Sequence, residues 1–379
     1  MTKSIPMVDL KGQYQKIKPE IDTAIQTVID DTAFINGAEV QDFQKNLADY
    51  LNVKNVIACG NGTDALQIAM MALGLKPGDE VITANFTFVA TVEVIALLGL
   101  IPVLVDVDPK TYTIKPEAIE KAITSKTKAI VPVHLFGQAA DMDKIMTIAK
   151  KHQLYVIEDT AQATGCDYIF DQQKQQKAGT IGDVGTTSFF PSKNLGCYGD
   201  GGAIFTNNND LAKKIRSIVN HGMTVRYYHD HVGVNSRLDT IQAAILNIKL
   251  KHLDKYNEAR RKAADYYDTA FANIKNIQTP VRFEKSTHIF HQYTMTLHNV
   301  DREALQKHLQ EKGIPAPIYY PVPLHLQKAY KDERYQEGDF PITEMLSKSV
   351  LSLPMHTEMT TEDLQYITQA VIDFFNNKN

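Results

Sequence analysis

Cysteine is scarce: Cys59, Cys166 and Cys197 are the only three in 379 residues. None stands at metal-ligand spacing, and three thiols in so long a chain make no disulfide framework. An excess of one charge is lacking too. The formal net charge is −4, which argues against a nucleic-acid partner and gives no reason to invoke a membrane surface. No apolar run reaches the roughly 18 residues that a bilayer span needs. The opening residues carry no basic-plus-apolar signal pattern. The expectation is a soluble, cytoplasmic protein. Internal repeats are absent. The nearest thing to a low-complexity tract, residues 172–177 (QQKQQK), is expected at the tip of a solvated loop. A dinucleotide fingerprint is missing as well. Gly196, Gly199, Gly201 and Gly202 have the wrong spacing and precede a strand pattern, not a helix.

What is present is a regular alternation. Short apolar runs at 53–59, 80–83, 102–105, 129–133, 155–158, 184–190 and 202–206 read as strands. Helical spacing separates most of them, at 65–73, 90–98, 117–124 and 142–152, and two helices at 16–31 and 39–51 precede them. Such a pattern predicts an α/β fold with a mostly parallel sheet flanked by helices. From about residue 208 the pattern changes. Helices are expected over 211–220 and, in one long piece, 237–273. Strands follow over 277–297, then helices at 302–312 and 361–375. The length suits a large domain, 1–249, followed by a smaller C-terminal α+β domain, 250–379.

In parallel sheets, ligands bind beyond the carboxyl ends of the strands. Four features fall there. The turn Gly60-Asn61-Gly62-Thr63-Asp64 joins a strand to a helix start, where free N–H groups and the helix dipole favour an anion. Thr63 and Asp64 are the expected backbone donors, with Ser188 adding a hydroxyl. Asp159 closes the strand at 155–158, while its neighbour Glu158 points to the other side. Gln162 lies three residues on. Lys193 sits between an apolar run and a glycine-rich turn, flanked by Ser188 and Ser192. An amine, an anion, a phosphate cup and an aromatic face (Phe88) together meet the needs of pyridoxal 5'-phosphate (PLP). Lys193 would hold it as a Schiff base, Asp159 would pair with the pyridine nitrogen, Gln162 with the ring hydroxyl, and Phe88 would stack on the ring. Freed by the amino donor, Lys193 would move a proton between the donor carbon and the cofactor.

Three motifs, Asn61-Gly62-Thr63-Asp64-Ala65-Leu66, Glu158-Asp159-Thr160-Ala161-Gln162 and Ser188-Phe189-Phe190-Pro191-Ser192-Lys193, resemble the DegT/DnrJ/StrS family of nucleotide-sugar aminotransferases. The resemblance runs from Met7-Val8-Asp9-Leu10 to Leu353-Pro354-Met355-His356. It implies a fold-type I PLP aminotransferase, and a homodimer whose active sites lie at the subunit interface. The segment Gly233-Val234-Asn235-Ser236-Arg237-Leu238-Asp239 is similar to the family stretch that crosses to the partner's site. There Asn235 is expected at the PLP phosphate, and Arg237 at a carboxylate of glutamate or of the sugar.

The family also contains sugar dehydratases with a histidine in place of the lysine, so Lys193 favours transamination. The wording around residues 196–202 and 235–239 is most similar to members that aminate C3 of a 3-oxo sugar. UDP-linked uronic acids of bacterial surface polysaccharides, such as lipopolysaccharide O-antigen, are among their substrates. The implied donor is L-glutamate. His325, His291, Tyr319 and Tyr320 are candidates for sugar or diphosphate contacts. The segment 167–180 is longer and more polar than the family pattern. The alternatives are amination at C4 of a 4-oxo-6-deoxy sugar, a PLP-dependent dehydratase, a regulator with a remnant site, and a nicotinamide dehydrogenase.

Overall fold

A computed structural model describes residues 3–376. In chain order the elements are α1 (Leu10–Asp30), α2 (Ala38–Leu51), β1 (Asn55–Cys59), α3 (Gly62–Leu73), β2 (Glu80–Ala84), α4 (Ala90–Leu97) and β3 (Ile101–Val105). Next come α5 (Pro116–Ala122), β4 (Thr127–Val131), α6 (Met142–His152), β5 (Tyr155–Asp159), β6 (Asp167–Ile169), β7 (Gln175–Lys177), β8 (Val184–Ser188) and β9 (Gly202–Thr206). The remainder is α7 (Asn209–Ile218), β10 (Met223–Val225), β11 (Tyr228–His229), α8 (Thr240–Leu250), α9 (Leu253–Phe271), β12 (Ile277–Gln278), β13 (Tyr293–Leu297), α10 (Arg302–Glu311), α11 (Pro341–Ser349), β14 (Val350–Leu353) and α12 (Thr361–Asn376).

Seven strands form the main sheet in the order β1-β9-β8-β5-β4-β2-β3. Only β9 runs against its neighbours; the pairs β8–β5, β5–β4, β4–β2 and β2–β3 are parallel. Parallel strands must be covered on both faces, and their residues show it. Val81, Ala129, Val131 and Ile157 join one core with α3, α4 and α7. Their alternates Ile82, Ile130 and Val156 join the other, with α5 and α6. This period of two decides where β5 delivers its last two residues. Glu158 follows Val156 toward α5 and α6, and Asp159 follows Ile157 toward α3.

A third core gathers α9, α10 and α12 around the antiparallel sheet β12-β13-β14. Ile5 from the opposite end of the chain joins it, its N–H bonded to the Gly313 carbonyl at 3.0 Å.

Three expectations change. The helix expected over 237–273 is two helices, because Lys251 and His252 make tighter bonds back to Ile248 and Lys249. That turn redirects the chain from the core under α2 and α8 to the core under α9. Residues 175–177 are not loop but the strand β7, paired with β6 and fastened by a Lys177–Asp167 ion pair of 2.9 Å; only 171–174 form the exposed tip. Between β12 and β13, residues 279–292 are irregular rather than extended strands.

Candidate active site

The carboxyl ends of β5 and β8 and the start of α3 converge on a cavity of about 680 Å³. Thr63, Asp64, Phe88, Asp159, Gln162, Ser188, Lys193, Tyr319, Tyr320 and His291 all line it.

The α3 end is an anion cup. Asn61 caps the helix: its Oδ1 accepts the Asp64 N–H at 2.8 Å, and its carbonyl accepts the Ala65 N–H at 3.1 Å. The expected pair of donors is therefore corrected. The Asp64 N–H is committed to the cap, and the N–H groups of Gly62 and Thr63 are the ones left for a ligand. The Asp64 carboxylate turns away, accepting from Ser236 Oγ at 2.6 Å. Ser188, ending β8, closes the cup. A Cβ on residue 62 would sit 2.6 Å from Ser188 Cβ, so the approach requires glycine.

The β5 end separates two carboxylates by role. Glu158 is fully buried and accepts from the N–H groups of Gly179 (2.8 Å), Ile181 (2.7 Å) and Gly182 (2.6 Å). His134 Nε2 is a fourth neighbour at 2.9 Å. Ala140 donates to His134 Nδ1 at 3.1 Å, so the ring proton is on Nε2 and points at Glu158. This glutamate anchors the return from the β6–β7 hairpin. Asp159 faces the cavity, held by Thr91 Oγ1 (3.0 Å) and the Ala161 N–H (3.0 Å).

Lys193 lies in the turn after β8, its N–H bonded to the Phe190 carbonyl at 2.8 Å. Gly196 permits this turn, because a Cβ there would meet the Pro191 carbonyl oxygen at 2.4 Å. Asn194, buried next door, donates to Asn257 Oδ1 (2.7 Å) and the Ile289 carbonyl (3.1 Å), which ties the turn to α9. The Lys193 amine is surrounded by protein except where it opens on the cavity. Burial pushes its pKa down to about 8, against the opposing pull of Asp159. Near neutral pH it is thus poised between base and acid.

An aromatic wall completes the space. Tyr320 lies 6.2 Å from Phe88 and 6.0 Å from Phe86, centroid to centroid. Gln162 Oε1 accepts the Phe136 N–H at 2.8 Å, which orients its Nε2 to donate to the Tyr320 hydroxyl at 3.0 Å. His291 is buried with Nδ1 unpartnered, and Gln292 Oε1 beside it is unpartnered too. Burial, the Lys193 cation and Arg260 hold the His291 pKa well below its ordinary range.

Three expected residues lie elsewhere. Asn235 is exposed and pairs with Asn220 as an isolated bridge. Arg237 points to Asn220 Oδ1 at 3.5 Å and lines a separate groove of about 340 Å³ with Arg216. His325 was expected at the sugar. It is instead 3% exposed and absent from the cavity lining, bonded to Asn85 and packed 4.7 Å from the Phe340 ring. Thr91, Asn194 and Gln292 were not anticipated. Thr91 and Asn194 act through partners distant in sequence, so no local spacing signals them.

No group of three His, Cys, Asp or Glu side chains among the described residues could hold a metal ion. Nor, among them, is any helix long and apolar enough to cross a membrane.

Known proteins resemble this chain over nearly its full length. A "pleiotropic regulatory protein" of Geobacillus stearothermophilus is 46% identical over 98% of this chain and 99% of its own. The UDP-2-acetamido-2-deoxy-3-oxo-D-glucuronate aminotransferase of Pseudomonas aeruginosa is 47% identical, covering 97% and 99%. The crystal structure of NtdA from Bacillus subtilis, with bound cofactor PMP, superposes with a TM-score of 0.91 at 33% identity, covering 99% of this chain and 86% of that one. Residues 15–372 match one family throughout, and the chain belongs to it: the DegT/DnrJ/EryC1/StrS aminotransferase family.

Proposed function

We propose that this chain transfers an amino group from L-glutamate to C3 of a 3-oxo nucleotide sugar, with PLP as cofactor. The observation that carries the reading is one cavity holding a desolvated amine, a carboxylate and a helix N-terminus whose Gly62 and Thr63 N–H groups are left for a ligand. The cavity suits PLP on its own terms. It offers an anion cup, a carboxylate for a cationic ring nitrogen and the unpartnered polar atoms of His291 and Gln292. Gly62 and Thr63 would bind the phosphate and Asp159 the ring nitrogen, with Phe88 on the ring face. Bound there, the cofactor supplies an electron-accepting ring through which an amino group can leave one carbon and later join another.

The protein's own work is proton transfer and orientation. The Lys193 amine, neutral above about pH 8, would take the proton from the donor Cα and pass it to the cofactor in one half-reaction, and in the other would move a proton from the cofactor to the acceptor sugar carbon. Asp159 would hold a proton on the ring nitrogen. Tyr320, pinned by Gln162, bounds the substrate side and excludes water. L-Glutamate leaves as 2-oxoglutarate and the oxo sugar leaves as the amine.

C3 as the position, UDP as the nucleotide and a uronic acid as the sugar rest on the resemblance and on the Pseudomonas relative's name. The test is a mass-spectrometric screen of 3-oxo and 4-oxo UDP- and dTDP-sugars with L-glutamate. A 3-amino UDP-sugar with equimolar 2-oxoglutarate is expected. Amination of the 4-oxo sugars alone would move the reaction to C4, and loss of water without 2-oxoglutarate would mark a dehydratase.

We infer further that the working unit is a cytoplasmic homodimer in which Asn235 and Arg237 serve the partner's cavity, since neither reaches the cavity of its own chain. Mixing inactive Lys193→Ala and Arg237→Ala chains should restore activity in the mixed dimer. No recovery after confirmed subunit exchange would refute shared sites.

A further inference from the structure

Two loops carry aromatic side chains into the cavity, and neither lies in a helix or strand. The loop after β2 carries Phe88; a segment beyond α10 carries Tyr319 and Tyr320. Their relative position sets the wall where Phe88 meets Tyr320. Apolar contact alone allows such loops to slide, whereas buried hydrogen bonds with fixed donors and acceptors do not.

The contact between the loops is polar and buried. Asn85 is 0% exposed. Its Oδ1 accepts the backbone N–H of His325 at 3.0 Å, which fixes the carboxamide orientation. Its Nδ2 then donates to His325 Nδ1 at 2.7 Å. The Asn85 carbonyl accepts the Leu324 N–H at 3.3 Å, and the Asn85 N–H donates to Val105 at the end of β3 at 2.9 Å. One side chain and its own peptide groups thus hold the 324–325 backbone against the edge of the main sheet. With Nδ1 accepting, the ring proton is on Nε2. This atom lies 3.3 Å from Glu344 Oε1, near enough for attraction but off the line of a hydrogen bond. Glu344 in turn accepts the Gly338 N–H at 2.7 Å and the Phe340 N–H at 3.4 Å, so α11 backs the imidazole. Burial keeps the ring below its ordinary pKa, in the neutral form Asn85 requires; Glu344, Asp339 and Asp106 pull the other way.

We propose that Asn85, His325 and Glu344 form a buried clasp that fixes the Tyr319–Tyr320 loop against the Phe88 loop. His325 is then a positioning residue of the active site and touches no substrate. The inference rests on reading this cavity as the active site.

The chain has no tryptophan, so Phe88→Trp creates a single fluorescent reporter on one loop. In that background, His325→Ala should lower the fluorescence anisotropy at position 88 and raise KM for L-glutamate about 10- to 100-fold. His325→Asn, which keeps an acceptor near the place of Nδ1, should restore most of both. Should His325→Ala fail to fold, Asn85→Ala breaks the same bond from the other side and should give the same pair of changes. A raised KM with unchanged anisotropy would overturn the clasp in favour of direct substrate contact. Equal impairment in the Ala and Asn variants would overturn it in favour of packing. The anisotropy is read without substrate, so a protein that does not transaminate would sink the functional reading and leave the clasp testable.

Discussion

Two lysines with depressed pKa values make an instructive pair. Burial pushes Lys193 and Lys249 down to the same value, about 8. Lys249, near the end of α8, is 1% exposed and lies 5.2 Å from the Tyr198 ring centroid. It belongs to the packing between α8 and the turn after Lys193. Lys193 opens on a cavity with a carboxylate, an anion cup and an aromatic wall. A depressed pKa is therefore no mark of chemistry by itself. What separates the two is geometry: one amine can meet a ligand, and the other cannot.

The largest test of this contrast removes the reacting amine. Lys193→Ala should cost roughly 10²–10⁴-fold or more in glutamate turnover, measured as 2-oxoglutarate formed, with little change in melting temperature. Asp159→Asn keeps the shape of the site and removes its charge. It should cost about 10²–10³-fold in the same assay. Next comes pH. An amine acts as a base only when neutral, so the wild-type rate of the glutamate half-reaction should rise through about pH 8 and then level off. The smallest effect belongs to the other lysine. Lys249→Met should leave turnover unchanged and raise stability in urea by about 1 kcal/mol, because it removes a buried, desolvated charge. Its sign with pH is also set. Between the folded value near 8 and the ordinary 10.5, the unfolded chain binds more protons, so wild-type stability should rise with pH across that window. Lys249→Met should flatten the rise.

Much of the site is local, and local features can be read from sequence. The α3 cup, Asp159 and Lys193 each sit at or just past the end of a strand, and alternation along β5 separates Glu158 from Asp159 by sequence alone. What could not be read depends on distant partners. The Asp64 N–H looks available until the Asn61 side chain takes it. A histidine in a proline-rich loop looks free to meet a sugar, and only folding brings Asn85, 240 positions away, to claim His325. The elements α11 and β14 went unanticipated because their pattern is short, and β14 exists by pairing with β13. The break at 251–252 has neither glycine nor proline to announce it.

The most direct test asks which amine meets the cofactor. Wild-type protein loaded with PLP and reduced with borohydride should carry the pyridoxyl label on the peptide containing Lys193, as read by peptide mass spectrometry, with Lys249 unlabelled. A label on any other lysine, or a Lys193→Ala protein that still forms a borohydride-stable adduct and transaminates, would contradict the account.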